Sequence, residues 1–231
     1  MKDSEPFTVS TTGAATTALV YRADENITGS ALILAHGAGA GQRSPFLVAF
    51  AQGLSGAGLD VVTFNFLYIE RGRRLPDRGP ILMDCFHAVI DAVRARLASA
   101  RGTLVIGGKS MGGRIATQLA AGDPTLPVAG LVLLGYPLHP PGRPTERRDS
   151  HLGSVKRPML FVQGSRDAFG TPKEFSGILE ALSPPASLYV VDGGDHSFKT
   201  AGHDSASQAR VFGDVRRVIL DWINTLPSPV A

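Results

Sequence analysis

Cysteine is almost missing from this chain. Cys85 is the only one in 231 residues, so no intramolecular disulfide can form and a reducing compartment is expected. Long apolar runs are missing as well: nothing approaches the ~18 residues needed to cross a bilayer. The N-terminal MKDSEPFTVSTTG lacks the apolar core of a secretory signal. Charge is modest, with 19% charged residues and a net charge of +3 carried mainly by arginine, too little to argue for a nucleic-acid partner. The six histidines form no H-x-x-x-H or H-E-x-x-H spacing and no cysteine pair exists, so no metal site is expected. Gly107-Gly108-Lys109-Ser110 resembles the end of a phosphate-binding loop, but the first glycine of the full G-x-x-x-x-G-K-[ST] form is missing. Internal repeats, heptads and low-complexity tracts are absent. What remains is a single soluble domain (residues 1–231), cytoplasmic, without cofactor and without membrane attachment, long enough to bury roughly 70% of its unfolded surface.

Glycine, in contrast, is plentiful at 27 residues, and its placement matters most between Thr103 and Thr117, TLVIGGKSMGGRIAT. A short apolar run ends in glycines, Lys109-Ser110-Met111 follows, and Gly112-Gly113 lead into a segment with helical spacing. Gly108-Lys109-Ser110-Met111-Gly112 therefore fills G-x-S-x-G at a strand-to-helix turn. Such a turn projects the serine hydroxyl clear of the sheet at the cost of backbone strain, and it needs small neighbours at Gly108 and Gly112. The helix that begins there aims N–H groups at negative charge forming beside the serine.

The rest of the chain alternates strands with helices. Phe7 to Ser10 and Thr17 to Tyr21 read as an edge hairpin. Ala31 to Ala35, Asp60 to Phe66, Val128 to Leu134, Pro158 to Val162 and Ser187 to Val191 read as strands, most of them apolar enough for burial on both faces. Ser44-Pro45 reads as the start of a helix carrying Phe46, Leu47, Phe50 and Leu54. Leu82 to Leu97 and Phe212 to Trp222 mark two longer helices, and Thr171-Pro172-Lys173-Glu174 is a capping box. The tail is expected to fray from Pro227. About eight strands with helices between the later ones imply an α/β fold, a mostly parallel sheet covered on both faces.

In such a sheet the site lies beyond the carboxyl ends of the strands. The loops at His36, Ser110, Asp167 and His196 all end strands and should converge there. A serine hydroxyl needs a base, and a neutral imidazole serves near pH 7. His196 is the expected base, and Asp167 the carboxylate that fixes its tautomer. Asp192 and Asp195 share the histidine's own loop and fold back awkwardly, and His203 lies further from the strand end. Two backbone donors are needed for an oxyanion: the N–H of Met111, and one from the His36–Gly41 loop, at Ala38 or Gly39. His36 itself reads as structural, Cys85 as core, and His139 and His151 as solvated or at the site rim. Two arginine-rich loops follow strand ends, and Arg73, Arg74 and Arg147 are the candidates there for holding an anionic substrate group.

At these residues the chain resembles the α/β-hydrolase superfamily, from about Ala31 to Trp222. LAHGAGAG, GGKSMGGR, VQGSRDAFG and DGGDHSF resemble a dienelactone-hydrolase-related branch of small bacterial proteins. That branch also includes a testis-expressed eukaryotic protein and a histone-acetyltransferase-complex subunit. The resemblance implies an eight-stranded sheet without a large lid domain and a triad of Ser110, Asp167 and His196. Dienelactone hydrolases carry cysteine where Ser110 stands, and Lys109 is unusual inside the elbow. The expected function is cleavage of small carboxylic esters or thioesters through an acyl-enzyme. The alternatives are acyl transfer by the same triad and a non-catalytic interaction module.

Overall fold

The computed structural model describes residues 4–23, 27–200 and 204–227. His203 and the tail beyond Pro227 lie outside these. The chain folds as β1 (Glu5–Thr11), β2 (Ala14–Tyr21), β3 (Ser30–Ala35), α1 (Pro45–Ser55), β4 (Asp60–Phe64), α2 (Leu67–Glu70), α3 (Gly79–Arg96), α4 (Ala98–Arg101), β5 (Thr103–Lys109), α5 (Met111–Gly122), β6 (Gly130–Leu134), β7 (Met159–Gly164), α6 (Pro172–Glu180), β8 (Ala186–Val191) and α7 (Ser205–Asn224). All eight strands form one sheet in the order β1-β2-β4-β3-β5-β6-β7-β8. β1 with β2 and β2 with β4 are antiparallel, and every later pair is parallel.

The apolar runs of the central strands are explained by burial on both faces. On β3, Ile33 joins the face covered by α3, α5 and α6, with Phe86, Ile115 and Phe175. Its neighbours Leu32 and Leu34 join the opposite face, with Leu47 and Phe50 of α1 and Val215 and Ile219 of α7. Successive side chains of a strand point to opposite faces, so a strand sandwiched between helix layers has no polar position to spare. β8, at the edge, shows only partial burial.

Strand boundaries differ from the sequence expectation where side chains divert the backbone. β4 stops at Phe64, not Phe66. The Asn65 side chain accepts from the Gln42 N–H (2.9 Å), and the Phe66 N–H donates to His36 Nε2 (3.1 Å) rather than to a ladder. β6 begins two residues late, at Gly130, and β7 runs on to Gly164. The capping box forms as expected, with the Glu174 carboxylate accepting from both the N–H (2.7 Å) and the hydroxyl (2.8 Å) of Thr171. Ser44 occupies the N-cap position of α1 before Pro45, but its side chain makes no capping bond.

Among the described residues no lid domain interrupts the fold. The connection after β6 contains only a single turn of 3₁₀ helix, Leu152–Ser154. Among the described residues no helix is long and apolar enough to cross a membrane.

Candidate active site

The carboxyl ends of β3, β5 and β7 and the loop after β8 meet at one edge of the sheet. Ser110 follows β5 with φ 52° and ψ −114°, in a region side-chain-bearing residues rarely adopt. The turn is held because β5 and α5 press against β3: a Cβ on Gly108 or Gly112 would collide with the carbonyl oxygen of Ala35. Close approach of backbones, as much as turn geometry, thus requires both glycines. α5 locks the other side, the Arg114 N–H donating to Ser110 O (3.1 Å).

His196 lies between the serine and the acid. The Asp167 carboxylate can only accept, so Nδ1–H donates to its Oδ2 at 2.8 Å, and Nε2, left as acceptor, stands 2.9 Å from Ser110 Oγ. Asp167 is fully enclosed, and two further donors reach its carboxylate. Gln163 Nε2 donates to Oδ2 (2.7 Å) and the Phe169 N–H to Oδ1 (2.8 Å). Gln163 is itself fixed by the Tyr136 N–H, which donates to its Oε1 (2.9 Å), and by Gly170 O (2.8 Å). The Phe169 ring stacks on the imidazole, centroids 4.1 Å apart. The acid, its amide support and the ring on the histidine therefore all come from the end of β7 and the loop after it.

The rival carboxylates are engaged elsewhere. Asp195 accepts from the Ser197 and Lys199 N–H groups (2.7 and 2.9 Å), shaping the histidine loop. Asp192 accepts from the Gly193 N–H at 3.0 Å.

Above the serine opens a cavity of about 600 Å³, lined by Gly37, Ala38, Met111 and Phe169 beside Ser110 and His196. That volume suits a small ligand. Gly39, with φ 71°, does not line it. Residues 28–224 match the family described as an alpha/beta hydrolase domain. The chain belongs to the alpha/beta hydrolase family. Similar solved structures include a serine hydrolase without lid from Xanthomonas campestris, 21% identical, TM-score 0.75 over 98% of each chain. A dienelactone hydrolase from Anabaena variabilis is 20% identical, TM-score 0.74, covering 97% of this chain and 98% of its own. Est1E from Butyrivibrio proteoclasticus with bound ferulic acid is 16% identical, TM-score 0.72, covering 95% and 100%.

Several polar residues of this alpha/beta hydrolase sit differently from expectation. Arg73 pairs with Asp77, and Arg147 with Asp149 at 2.7 Å. Neither lines the cavity, and nor does Arg74; the arginines in its wall are Arg114 and Arg148. His139 is buried, not solvated, its Nε2 facing Glu174 at 3.0 Å. His151 packs inward against the Thr117 hydroxyl at 2.8 Å. Lys109, also in the cavity wall, donates from Nζ to the carbonyl oxygen of His196 at 2.6 Å and so ties the elbow to the histidine loop. Burial pulls its ammonium down to about 8, partly offset by the Asp167 and Asp195 carboxylates. Cys85 is core, as expected, and burial pushes its thiol up to about 12.

His36 has the structural place expected of it. It accepts from the Phe66 N–H, which leaves Nδ1–H to donate to Gly37 O at 2.8 Å, and its ring packs against Phe66 and Tyr68. This pins the 36–41 loop over the serine. Burial lowers its pKa from 6.5 to about 4. Between those values the unfolded chain binds a proton that the folded chain refuses. His36 thus contributes stability that is present above pH 6.5 and lost as pH falls through 4, about 3 kcal/mol in all. Urea melts from pH 7 to 4 are expected to show this slope in wild type and a shallower one in His36→Asn; equal slopes would refute the assignment.

Proposed function

We propose that this alpha/beta hydrolase cleaves carboxylic esters or thioesters of small acyl groups through an acyl-enzyme on Ser110. The observation that carries this reading is the unbroken chain from Ser110 Oγ through His196 to the enclosed Asp167. Ser110 Oγ attacks the substrate carbonyl carbon while His196 Nε2 takes its proton. The oxygen that gains the negative charge lies towards the N–H groups of Met111 and Ala38, the latter favoured over Gly39 because it lines the cavity. The imidazolium is stabilised by Asp167 and returns the proton to the departing alkoxide or thiolate. Water, deprotonated by the same nitrogen, then releases the acid and restores the serine. The enclosed acid and stacked Phe169 restrict the imidazole to this orientation, so little rearrangement is needed as charge develops.

An active-site burst tests the reading. With para-nitrophenyl acetate, the enzyme is expected to release about one equivalent of nitrophenol before steady turnover, and to hydrolyse an acetyl thioester as well. A folded protein that turns over neither would defeat the proposal.

A further inference from the structure

Some arginine side chains of this protein are held in ion pairs. Arg73, Arg143, Arg147 and Arg217 each pair with a carboxylate, on Asp77, Glu146, Asp149 and Asp214. Arg114 and Arg148 have no ion-pair partner among the described residues, and they are set apart from the other unpaired arginines by sharing the wall of the cavity beside Ser110. The carboxylate in the same wall, Asp77, meets Arg73 through Oδ1, while its Oδ2 is buried without a hydrogen-bond partner among the described residues.

Both positions are firmly built. Arg114 stands on the first turn of α5, its N–H bonded to Ser110 O, so its place relative to the serine is set by the helix. Its Nε is buried and bonds nothing. Arg148 enters from the β6–β7 connection, its N–H donating to Leu138 O (2.8 Å) and its carbonyl accepting from the Tyr136 hydroxyl (2.9 Å). Burial and the nearby Arg148 charge both disfavour the Arg114 guanidinium, and nothing in the protein offsets this fully. Unpaired like charges facing one half-enclosed space are unfavourable alone and become favourable with an anion between them.

We propose that Arg114 and Arg148 together bind an oxyanionic group of the substrate, a carboxylate or phosphate, in the cavity beside Ser110. This rests on Ser110 being the nucleophile only for where the scissile bond lies; the anion site itself stands on the two arginines. Its function is selective: of two esters alike in shape, the charged one is held with its carbonyl at the serine. Gln118, one turn beyond Arg114, lines the same wall and adds a neutral hydrogen-bonding side chain.

Two ester pairs differing mainly in charge test this. They are para-acetoxybenzoate against its methyl ester, with the anion on the leaving group, and mono-para-nitrophenyl adipate against para-nitrophenyl hexanoate, with the anion on the acyl group. Wild type is expected to favour the anion of at least one pair in kcat/KM. In Arg114→Gln and in Arg148→Gln the charged-to-neutral ratio should fall about tenfold or more, as expected for loss of a charge-assisted contact. In Arg143→Gln, on a surface ion pair, it should not change. An unchanged ratio in both cavity variants overturns the proposal, and Arg148→Gln, on a loop, serves if the α5 variant fails to fold.

A second readout needs no turnover. Benzoate or phenylphosphonate should raise the Tm of wild type, with the rise lost in both variants; the stronger of the two identifies carboxylate or phosphate. If neither shifts the Tm and no anion preference exists, the proposal falls. If wild type cleaves no ester but is stabilised through the arginines, the anion site stands and the hydrolase reading falls.

Discussion

Replacing Ser110 by alanine is expected to lower kcat/KM for esters about a millionfold, leaving whatever the oxyanion donors and cavity supply alone. Ser110→Gly should be as inactive yet more stable than the alanine variant, by about 1 kcal/mol. The reason is local. Ser110 is held at φ 52° because β5 and α5 meet β3 through glycines, so the hydroxyl is presented at the expense of backbone strain. Alanine keeps that strain and glycine releases it. Paired urea melts and ester assays on the two variants measure both effects. A glycine variant no more stable than the alanine one would mean that the elbow stores no strain.

The second large effect is expected at the acid. Asp167→Asn should lower kcat about ten-thousandfold, because a neutral amide no longer stabilises the imidazolium or selects its tautomer. It should also destabilise the fold by about 1–3 kcal/mol. Three donors converge on Asp167: the Gln163 amide and His196 Nδ1–H at one oxygen, the Phe169 N–H at the other. An asparagine NH2 must face a donor whichever way it turns. Steady-state kinetics and denaturant melts check the two arms separately. Loss of activity without loss of stability would show that the neighbouring loops rotate to relieve the clash.

Which parts of this were legible in the sequence follows from how local each signal is. The elbow was, because strand, glycines, serine and helix are contiguous over Thr103 to Thr117, and the central strands were, because burial on two faces leaves continuous apolar runs. Asp167 is legible from the strand-end loop it occupies between the serine and the histidine in chain order; its support by Gln163, four residues earlier at the end of the same strand, has no signal in the sequence. The arginines carry a different local signal. Arg73 with Asp77 at i,i+4, and Arg147 with Asp149 two residues on, have partners nearby in sequence and are neutralised locally. Arg114 carried a readable signal, since a residue four positions into a helix from Ser110 shares its face. The inward placement of His139 was not readable, because Glu174, which it meets, is supplied by the first turn of α6, 35 residues away. Nor was the role of Lys109, whose acceptor belongs to a loop after β8.

The central claim is that His196 and Asp167 make Ser110 an activated nucleophile. It is tested most directly by treating the folded protein with a fluorophosphonate and locating the adduct by peptide mass spectrometry. The account predicts one adduct per chain, on Ser110, abolished in Ser110→Ala and lost or greatly slowed in His196→Ala. A folded wild type that stays unlabelled, or is labelled at another residue, would contradict it.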